Sequence, residues 1–496
     1  MDSKDGLHYD PESGVREGLP CDGVIIPSAL HVEPGKLYDA IVIGAGYAGL
    51  IAARDLAVRV TEGHKVLLLE ARDRIGGRTW TSVIEGYPYE MGGTWVHWGQ
   101  PHVWTELSRY NLVDQLEDSA ETLPGVTHKI SYYFEHGRND LSAEEDAQNM
   151  NTALTEFCNV DGQLGKTVMP FPHKPFTEAE QFTKWDRISA AERVNQIKDR
   201  LTPDQQSLLL SIIVTASGSP ADQVAFTEIL RWWALAGYDS QAYMDYIIKW
   251  KLKCGQTRLA LRIFRDALAS GNLSYRFSSP VHQIDQSRQQ LVVTAKDGQH
   301  MSGQYLVCTV PLNTLNDVKF NPPLSHSKVL AASRGHVNLC VKAHAEVETA
   351  DHRSWWGMAY NRKPGIMAGA FGDGLTPSGN AHLVSFSLND AFQGGSDHGF
   401  SQIKAAYEEF HPFKIKRLLY HPWATDPYAK GTWAMYALGF GSRFKRDLQA
   451  SQGRIHFASA DWADGWHGFI DGAMEQGMRA SAKILTELQK VPAARL

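Results

Sequence analysis

Short apolar runs closed by glycine or polar turns alternate along this chain with longer stretches of helical period. Ala40-Ile41-Val42-Ile43 runs straight into Gly44-Ala45-Gly46-Tyr47-Ala48-Gly49 and a helix through Leu56, and Val66-Leu67-Leu68-Leu69 follows, ending on Glu70. This reads as strand, helix and strand. From about 140 to 250 the pattern turns helical: Leu201 to Ser217 opens on Thr202-Pro203-Asp204, and Phe226 to Trp250 alternates large aromatics with polar residues. Strand signals return at Leu273-Ser274-Tyr275-Arg276-Phe277, at Gln290 to Ala295 before an Asp297-Gly298 turn, and at Tyr305 to Pro311. These are predicted to complete the first sheet. Val337 to Val347 and His382 to Leu388 read as strands of a second sheet, Arg454 to Ala458 as a short buried strand, and Asp471 to Leu488 as an amphipathic helix with Gly472 in its first turn. Residues 1–36 carry Pro, Gly and charge without periodicity and read as an arm that wraps or frays.

Composition narrows the class. A chain of 496 residues, 43% of them hydrophobic, is long enough for two or three domains with a large core. The net charge of -6 is small and its signs are interspersed, which argues against a nucleic-acid surface. The five cysteines, Cys21, Cys158, Cys254, Cys308 and Cys340, are scattered without CxxC or His pairing, so neither a disulfide framework nor a zinc site is expected, and an intracellular compartment is. The amino terminus is polar without a signal-like apolar region, and no apolar run reaches the ~18 residues of a membrane span, so a chain without an integral membrane segment is expected.

The glycine turn carries the first chemistry. Gly44, Gly46 and Gly49 permit a tight strand-to-helix turn and close approach of backbone to a pyrophosphate at the positive end of the helix. Glu70, 21 residues after Gly49, is placed to accept hydrogen bonds from an adenosine ribose. Arg72, Arg74 and Arg78, three within seven residues, offer cationic partners for phosphate, and the pairs Gly76-Gly77 and Gly92-Gly93 let the main chain pass close to a flat ring and a diphosphate.

Glu70 to Arg78, then Met91-Gly92-Gly93-Thr94-Trp95-Val96-His97, and near the other end Phe457-Ala458-Ser459-Ala460-Asp461-Trp462 and Trp466-His467-Gly468-Phe469-Ile470-Asp471-Gly472-Ala473, resemble the FAD segments of the flavin amine oxidases. The likeness extends over nearly the whole chain and is greatest to the soluble fungal monoamine oxidases, through Trp232-Trp233-Ala234 and Gly335-His336-Val337-Asn338. It implies an α/β (mixed α+β) fold: a Rossmann-like FAD-binding domain with a second substrate domain of mixed sheet and helices, the two-domain architecture shared with p-hydroxybenzoate hydroxylase. On this reading residues 37–110, 250–325 and 425–490 form the FAD domain, 111–249 and 326–424 the substrate domain, and 491–496 a tail. The cofactor set implied is Gly44, Gly46, Gly49, Glu70, Arg72, Arg78, Gly92, Gly93, Thr94, Trp95, Val281, Asp461 and Ile470, with Asp461 on ribityl or pyrophosphate hydroxyls. Asp461 stands where Glu is usual, and Ser459 where Gly is usual.

In this family two aromatic positions, here Trp433 and Phe469, form a cage that sandwiches the amine nitrogen and excludes water. Burial there disfavours a charged amine, and the ring faces orient it. Trp232, Tyr243, Met244, Ile248 and Ile212 fall in the segment that lines the substrate cavity of the soluble fungal enzymes, where core and pocket roles weigh equally, as do cavity and structural roles for Asn338. Mitochondrial members link FAD through a cysteine just before the cage aromatic. Thr432 stands there, so FAD is expected without a covalent bond. Many members also place a lysine before Phe-Asn-Pro-Pro. The matching residue is Asp317, with Lys319 two further on, and no residue is assigned to oxygen activation.

The reaction implied is oxidation of a neutral amine by hydride transfer from its α-carbon to flavin N5. An imine results and hydrolyses to aldehyde or ketone and ammonia, while O2 becomes hydrogen peroxide. Polyamine oxidase, L-amino acid oxidase and a non-catalytic flavin scaffold stay open as alternatives. Ala494-Arg495-Leu496 has the small-basic-leucine form of a peroxisomal address, which makes the peroxisomal import receptor a partner beside the amine and O2. A homo-oligomer is compatible with the sequence, which does not fix the oligomeric state.

Overall fold

The computed structural model describes the chain apart from residues 34, 61–64, 120–122, 124–125, 136, 288, 361–366, 390–396 and 491–496. Ala494-Arg495-Leu496 therefore lies outside the described residues. Two large sheets organise the rest, nine strands in each.

The first runs Lys319–Asn321, Val281–Asp285, Leu291–Ala295, His300–Cys308, Leu37–Ile43, Val66–Leu69, Leu273–Arg276, Ala29–Leu30, with Ile455–Phe457 also paired to His300–Cys308. Its middle is parallel, Ala40 opposite Val66 and Leu273 opposite Val66 on the other side. Val66 to Leu69 is buried at every residue, as a parallel strand covered on both faces must be. The helix Tyr47–Arg59 covers one face, packed in turn by the helix Ile470–Lys490. These helices meet at Gly477, where a Cβ would sit 2.3 Å from the carbonyl oxygen of Ala48.

The second sheet runs Gly137–Leu141, Lys129–Phe134, Trp355–Ala359, Gly369–Leu375, Ala381–Ser387, Val341–Val347, Ile415–Tyr420, Asp2–Asp10, Gly14–Pro20. Helices pack on it around Phe157, Ile212, Leu230 and Trp233. The helix Pro203–Ser217 has the boundaries its sequence sets: Thr202 and Gln205 form a reciprocal capping box, Pro203 occupies the first turn, and Gly218 closes it at φ 57°.

Three expectations are refined. Of the arm expected to wrap or fray, residues 1–20 wrap, as a hairpin on the edge of the second sheet, Leu7 opposite Tyr420. Leu7 and Leu19 are buried, and Asp5 is held by two arginines far along the chain, a pairing that periodicity does not register. The stretch Phe226 to Trp250 divides into helices Phe226–Leu235 and Ser240–Ile248, broken where Gly237 (φ 72°) and Tyr238 (φ 64°) turn left-handed and restarted by Asp239, whose side chain accepts from the N–H of Ala242. The strand expected from Val337 starts only at Val341. Among the described residues no helix is long and apolar enough to cross a membrane.

Candidate active site

A cavity of ≈ 520 Å³ runs from the glycine turn of the first sheet to the aromatic side chains between the second sheet and its helices. At the first end its wall includes Gly44, Gly46, Tyr47 and Ala48. The helix that starts there has no side-chain cap and no acid in its first turn, which leaves its leading N–H groups to a ligand. The three glycines do different work. A Cβ on Gly49 would lie 1.8 Å from the carbonyl oxygen of Gly44, and one on Gly44 2.3 Å from Thr309 Oγ1, so both serve close packing of turn against helix and strand. At Gly46 the nearest atom would be 3.8 Å away, so its missing side chain keeps the cavity open. Gly49 itself is off the wall.

Glu70 lines the same end, accepting from the N–H groups of Ala45 at 2.5 Å and Arg72 at 2.8 Å. Burial raises its pKa against the pull of those donors. Arg72 and Arg78 also line the cavity, and each of the three arginines has partners within the protein. Arg72 donates to both oxygens of Asp5 at 2.9 and 3.0 Å and to Asp426 at 2.6 Å. Arg74 pairs with Asp5 at 2.8 Å and donates to the carbonyl of Gly77 at 2.9 Å, away from the cavity wall. Arg78 donates to the Thr432 carbonyl at 2.7 Å and to Asp461 at 2.6 Å. The other Asp461 oxygen accepts from the N–H of Leu312 at 2.8 Å. Burial opposes its ionisation, but Arg78 and its other partners hold the carboxyl below its usual range. Asp461 thus orients Arg78 from behind the wall.

Gly92, Gly93, Thr94, Trp95, Val281 and Ile470 also line the cavity. A Cβ on Gly92 would lie 2.0 Å from the carbonyl oxygen of Arg78, so this segment is pressed against the arginine loop. The site fits a dinucleotide carrying a flat ring: uncapped helix N–H groups, an acid, and a glycine-lined passage in sequence.

At the other end stand Trp433 and Phe469 with Ile212, Trp232, Tyr243, Met244 and Ile248. Trp433 donates its indole N–H to the carbonyl of Ala216 at 2.8 Å and meets Phe386 edge-on at 6.0 Å. Phe469 is held edge-on by Trp232 and Trp466, each at 5.0 Å. Asn338 is off the wall; its side-chain oxygen accepts from the Thr432 hydroxyl at 2.6 Å and the N–H of Cys340 at 3.0 Å, the structural role. Asp317 lies on the wall paired with Lys430 at 2.7 Å, while Lys319 is exposed in the strand Lys319–Asn321.

Sequence reasoning missed the contribution of the second sheet. Trp356, Met358, Phe371 and Phe386 line the cavity, Trp356 stacked on Phe371 at 4.6 Å and 18°. Lys342, from the strand Val341–Val347, also reaches the wall. Its ammonium donates to the carbonyls of Glu90 at 2.8 Å and Gly92 at 2.9 Å and to the Thr94 hydroxyl, and burial lowers its pKa. A charged residue inside a buried strand was the available signal.

The profile described as flavin containing amine oxidoreductase matches residues 47–485. Pseudooxynicotine dehydrogenase from a Pseudomonas species is 32% identical over 457 residues, 91% of this chain and 87% of that protein. Nicotine dehydrogenase from Pseudomonas putida is 30% identical over 459 residues, 92% of this chain and 90% of that protein. In structure the chain is similar to cyclohexylamine oxidase from Brevibacterium oxydans, with a TM-score of 0.73 and 18% identity over 92% of this chain and all (100%) of that one. With the uncapped turn, the glycine passage and the aromatic end all on one cavity, the chain belongs to the flavin-containing amine oxidoreductases, an FAD enzyme that oxidises amines.

Proposed function

We propose that the enzyme oxidises uncharged monoamines with bulky apolar substituents: the α-carbon gives up a hydride, the resulting imine hydrolyses to aldehyde or ketone and ammonia, and O2 is reduced to hydrogen peroxide. Bound along the cavity, FAD supplies the two-electron acceptor and the reactivity toward O2. The residues that would hold it are Gly44, Gly46, Glu70, Arg72, Arg78, Gly92, Gly93, Thr94, Trp95, Val281 and Ile470. Trp433 and Phe469 would bracket the amine nitrogen, and the rings of Trp232, Trp356, Phe371 and Phe386 would exclude water and receive its substituent.

The observation that carries the reading is the charge of the wall. Among the described residues its carboxylates are Glu70, beside the glycine turn, and Asp317, already paired with Lys430. That leaves no acid among the aromatics for the second ammonium of a diamine. Lys342 already donates to three acceptors and is not free for an amino acid carboxylate. Burial without a counter-charge disfavours the ammonium form, so the neutral amine is selected.

The relatives named for nicotine and pseudooxynicotine supply further test substrates, and the word dehydrogenase in their names makes the electron acceptor part of the test. A panel of monoamines, diamines, amino acids and nicotine-type amines is to be assayed for peroxide in air and for dye reduction without air. Bulky monoamines are expected to exceed diamines and amino acids in kcat/KM by about 10-fold or more, with peroxide formed in air. Preference for a diamine or an amino acid refutes the substrate reading, and dye reduction without peroxide refutes the acceptor.

A further inference from the structure

Trp433 and Phe469 come from segments distant in sequence, and one turn of the helix Phe226–Leu235 touches both. Glu228 Oε2 accepts from the backbone N–H of Tyr436 at 3.1 Å, three residues beyond Trp433. It also accepts from Arg231 Nη2 at 3.2 Å. Arg231 Nη1 in turn donates to the carbonyls of Gly465 at 3.3 Å and His467 at 3.1 Å, in the loop that ends on Phe469. The two segments also meet directly. The Tyr436 and His467 rings lie 4.4 Å apart, and a Cβ on Gly468 would sit 2.9 Å from the carbonyl oxygen of Ala434. The next residue of the helix, Trp232, closes edge-on against Phe469 at 5.0 Å.

Glu228 and Arg231 are 3% and 2% exposed, and neither is on the cavity wall. A buried ion pair is poor at adding stability, because desolvation consumes most of its attraction. Its directed hydrogen bonds do fix geometry. Here they fix the carboxylate to one aromatic segment and the guanidinium to the other.

We infer that the Glu228–Arg231 pair is the positioning element of the aromatic cage, setting the separation and tilt of Trp433 and Phe469 through Tyr436 N–H and the Gly465 and His467 carbonyls. The inference rests on the proposed reading of Trp433 and Phe469 as the pair that brackets the amine. Misplacement of reacting groups by about 1 Å costs up to ~100-fold in rate, so a shift of the loop acts on the chemical step more than on affinity.

The test uses holoenzyme with two readouts. In anaerobic stopped flow, Arg231→Met is expected to slow flavin reduction by about 10–100-fold while the amine dissociation constant changes less than about 3-fold. Arg231→Lys, which keeps a donor for the carbonyls, recovers most of the rate. In protein labelled with 5-fluorotryptophan, the Trp433 fluorine resonance, assigned by its loss in Trp433→Phe, shifts or splits in Arg231→Met and returns to its wild-type position in Arg231→Lys. If Arg231→Met does not fold, Glu228→Gln takes its place; it keeps an acceptor for Tyr436 N–H, loses the charge opposite Arg231, and is expected to change both readouts in the same direction. An unchanged reduction rate with an unchanged resonance overturns the inference, as does equal loss in Arg231→Lys and Arg231→Met. If no amine reduces the wild-type flavin, the proposed function fails while the fluorine spectrum still decides the positioning role.

Discussion

Removing either ring of the proposed cage, Trp433 or Phe469, should cost rate without emptying the flavin site, and the two losses should not add. Trp433 leans on Phe386 and Ala216, whereas Phe469 leans on Trp232 and Trp466, so the two side chains are supported by different neighbours. Their effects on folding should therefore be nearly additive. Trp433→Ala gives up one neutral hydrogen bond, about 1 kcal/mol, and one edge-on ring contact of about 0.5–1.5 kcal/mol; Phe469→Ala gives up two such contacts. Both line a cavity, so the cost stays below the roughly 3–5 kcal/mol of emptying a packed core position. On catalysis the rings act together if they bracket one nitrogen. Each Ala variant is expected to lower kcat/KM by about 10–100-fold, or ~1.4–2.7 kcal/mol, and the double variant by less than the product, because the second ring has little left to align once the first is gone. Trp433→Phe, which keeps an aromatic ring but drops the bond to Ala216 and part of the indole surface, should fall between. The assay is anaerobic flavin reduction across an amine series, with melting temperature and bound FAD measured on the same samples. Wild-type kcat/KM in both single variants at full FAD content refutes the cage; a fully multiplicative double variant shows two independent packing roles instead.

Four further outcomes are expected. The Thr432 hydroxyl donates to Asn338 at 2.6 Å and offers no thiolate, so acid precipitation should release all FAD into the supernatant; flavin that stays with the washed pellet contradicts this. Gly46→Asp should fold as apoprotein, since its side chain would enter open space beside the uncapped helix N-terminus and set a negative charge against the diphosphate, and stoichiometric flavin in that variant removes the turn from the site. Burial alone would lower the pKa of His102, but its bond to Asp471 at 3.0 Å outweighs burial and leaves it above 6.5. A raised folded pKa gives stability that is full below pH 6.5 and lost as pH rises through the folded value, so the melting deficit of His102→Gln should be largest in acid buffer and disappear in alkali; a deficit independent of pH argues for packing alone. A fluorescent fusion ending in Ala494-Arg495-Leu496 is expected in peroxisomes, and diffuse signal unchanged by deleting Leu496 counts against the address.

What the sequence made legible was local. Ala40 to Ile43 and Val66 to Leu69 could be read as buried strands because parallel pairing leaves no solvent face, and Thr202-Pro203 with Gly218 marked both ends of one helix by their own chemistry. Trp433 and Phe469 reached the cavity on the strength of motif alone. Hidden from any window of sequence were partners at long range. Asp5 meets Arg72 across 67 positions and Asp461 meets Arg78 across 383, so the hairpin read only as an arm that wraps or frays, and the pairing of Asp461 with Arg78 went unread. Phe386 read as an ordinary strand residue and Trp356 and Phe371 gave no signal, since which face of a sheet borders a cavity depends on what packs there.

Those hidden pairings change how the diphosphate is held. Arg72 is bonded to Asp5 and Asp426, Arg74 to Asp5, and Arg78 to Asp461, so each guanidinium next to the glycine turn already has a carboxylate. An anion entering here gains little from a side-chain charge that is already matched. It gains more from the N–H groups at the start of the helix Tyr47–Arg59, where no side chain caps and no acid competes. The arginines instead fix the loop: Arg74 holds the carbonyl of Gly77, Arg78 that of Thr432, and Gly92 packs against the carbonyl of Arg78. Recognition by rigid backbone donors suits a cofactor retained through every turnover. At the far end of the cavity the wall is made of rings and aliphatic side chains, Ile212, Met244 and Ile248 among them, which suits the uncharged amine proposed as substrate.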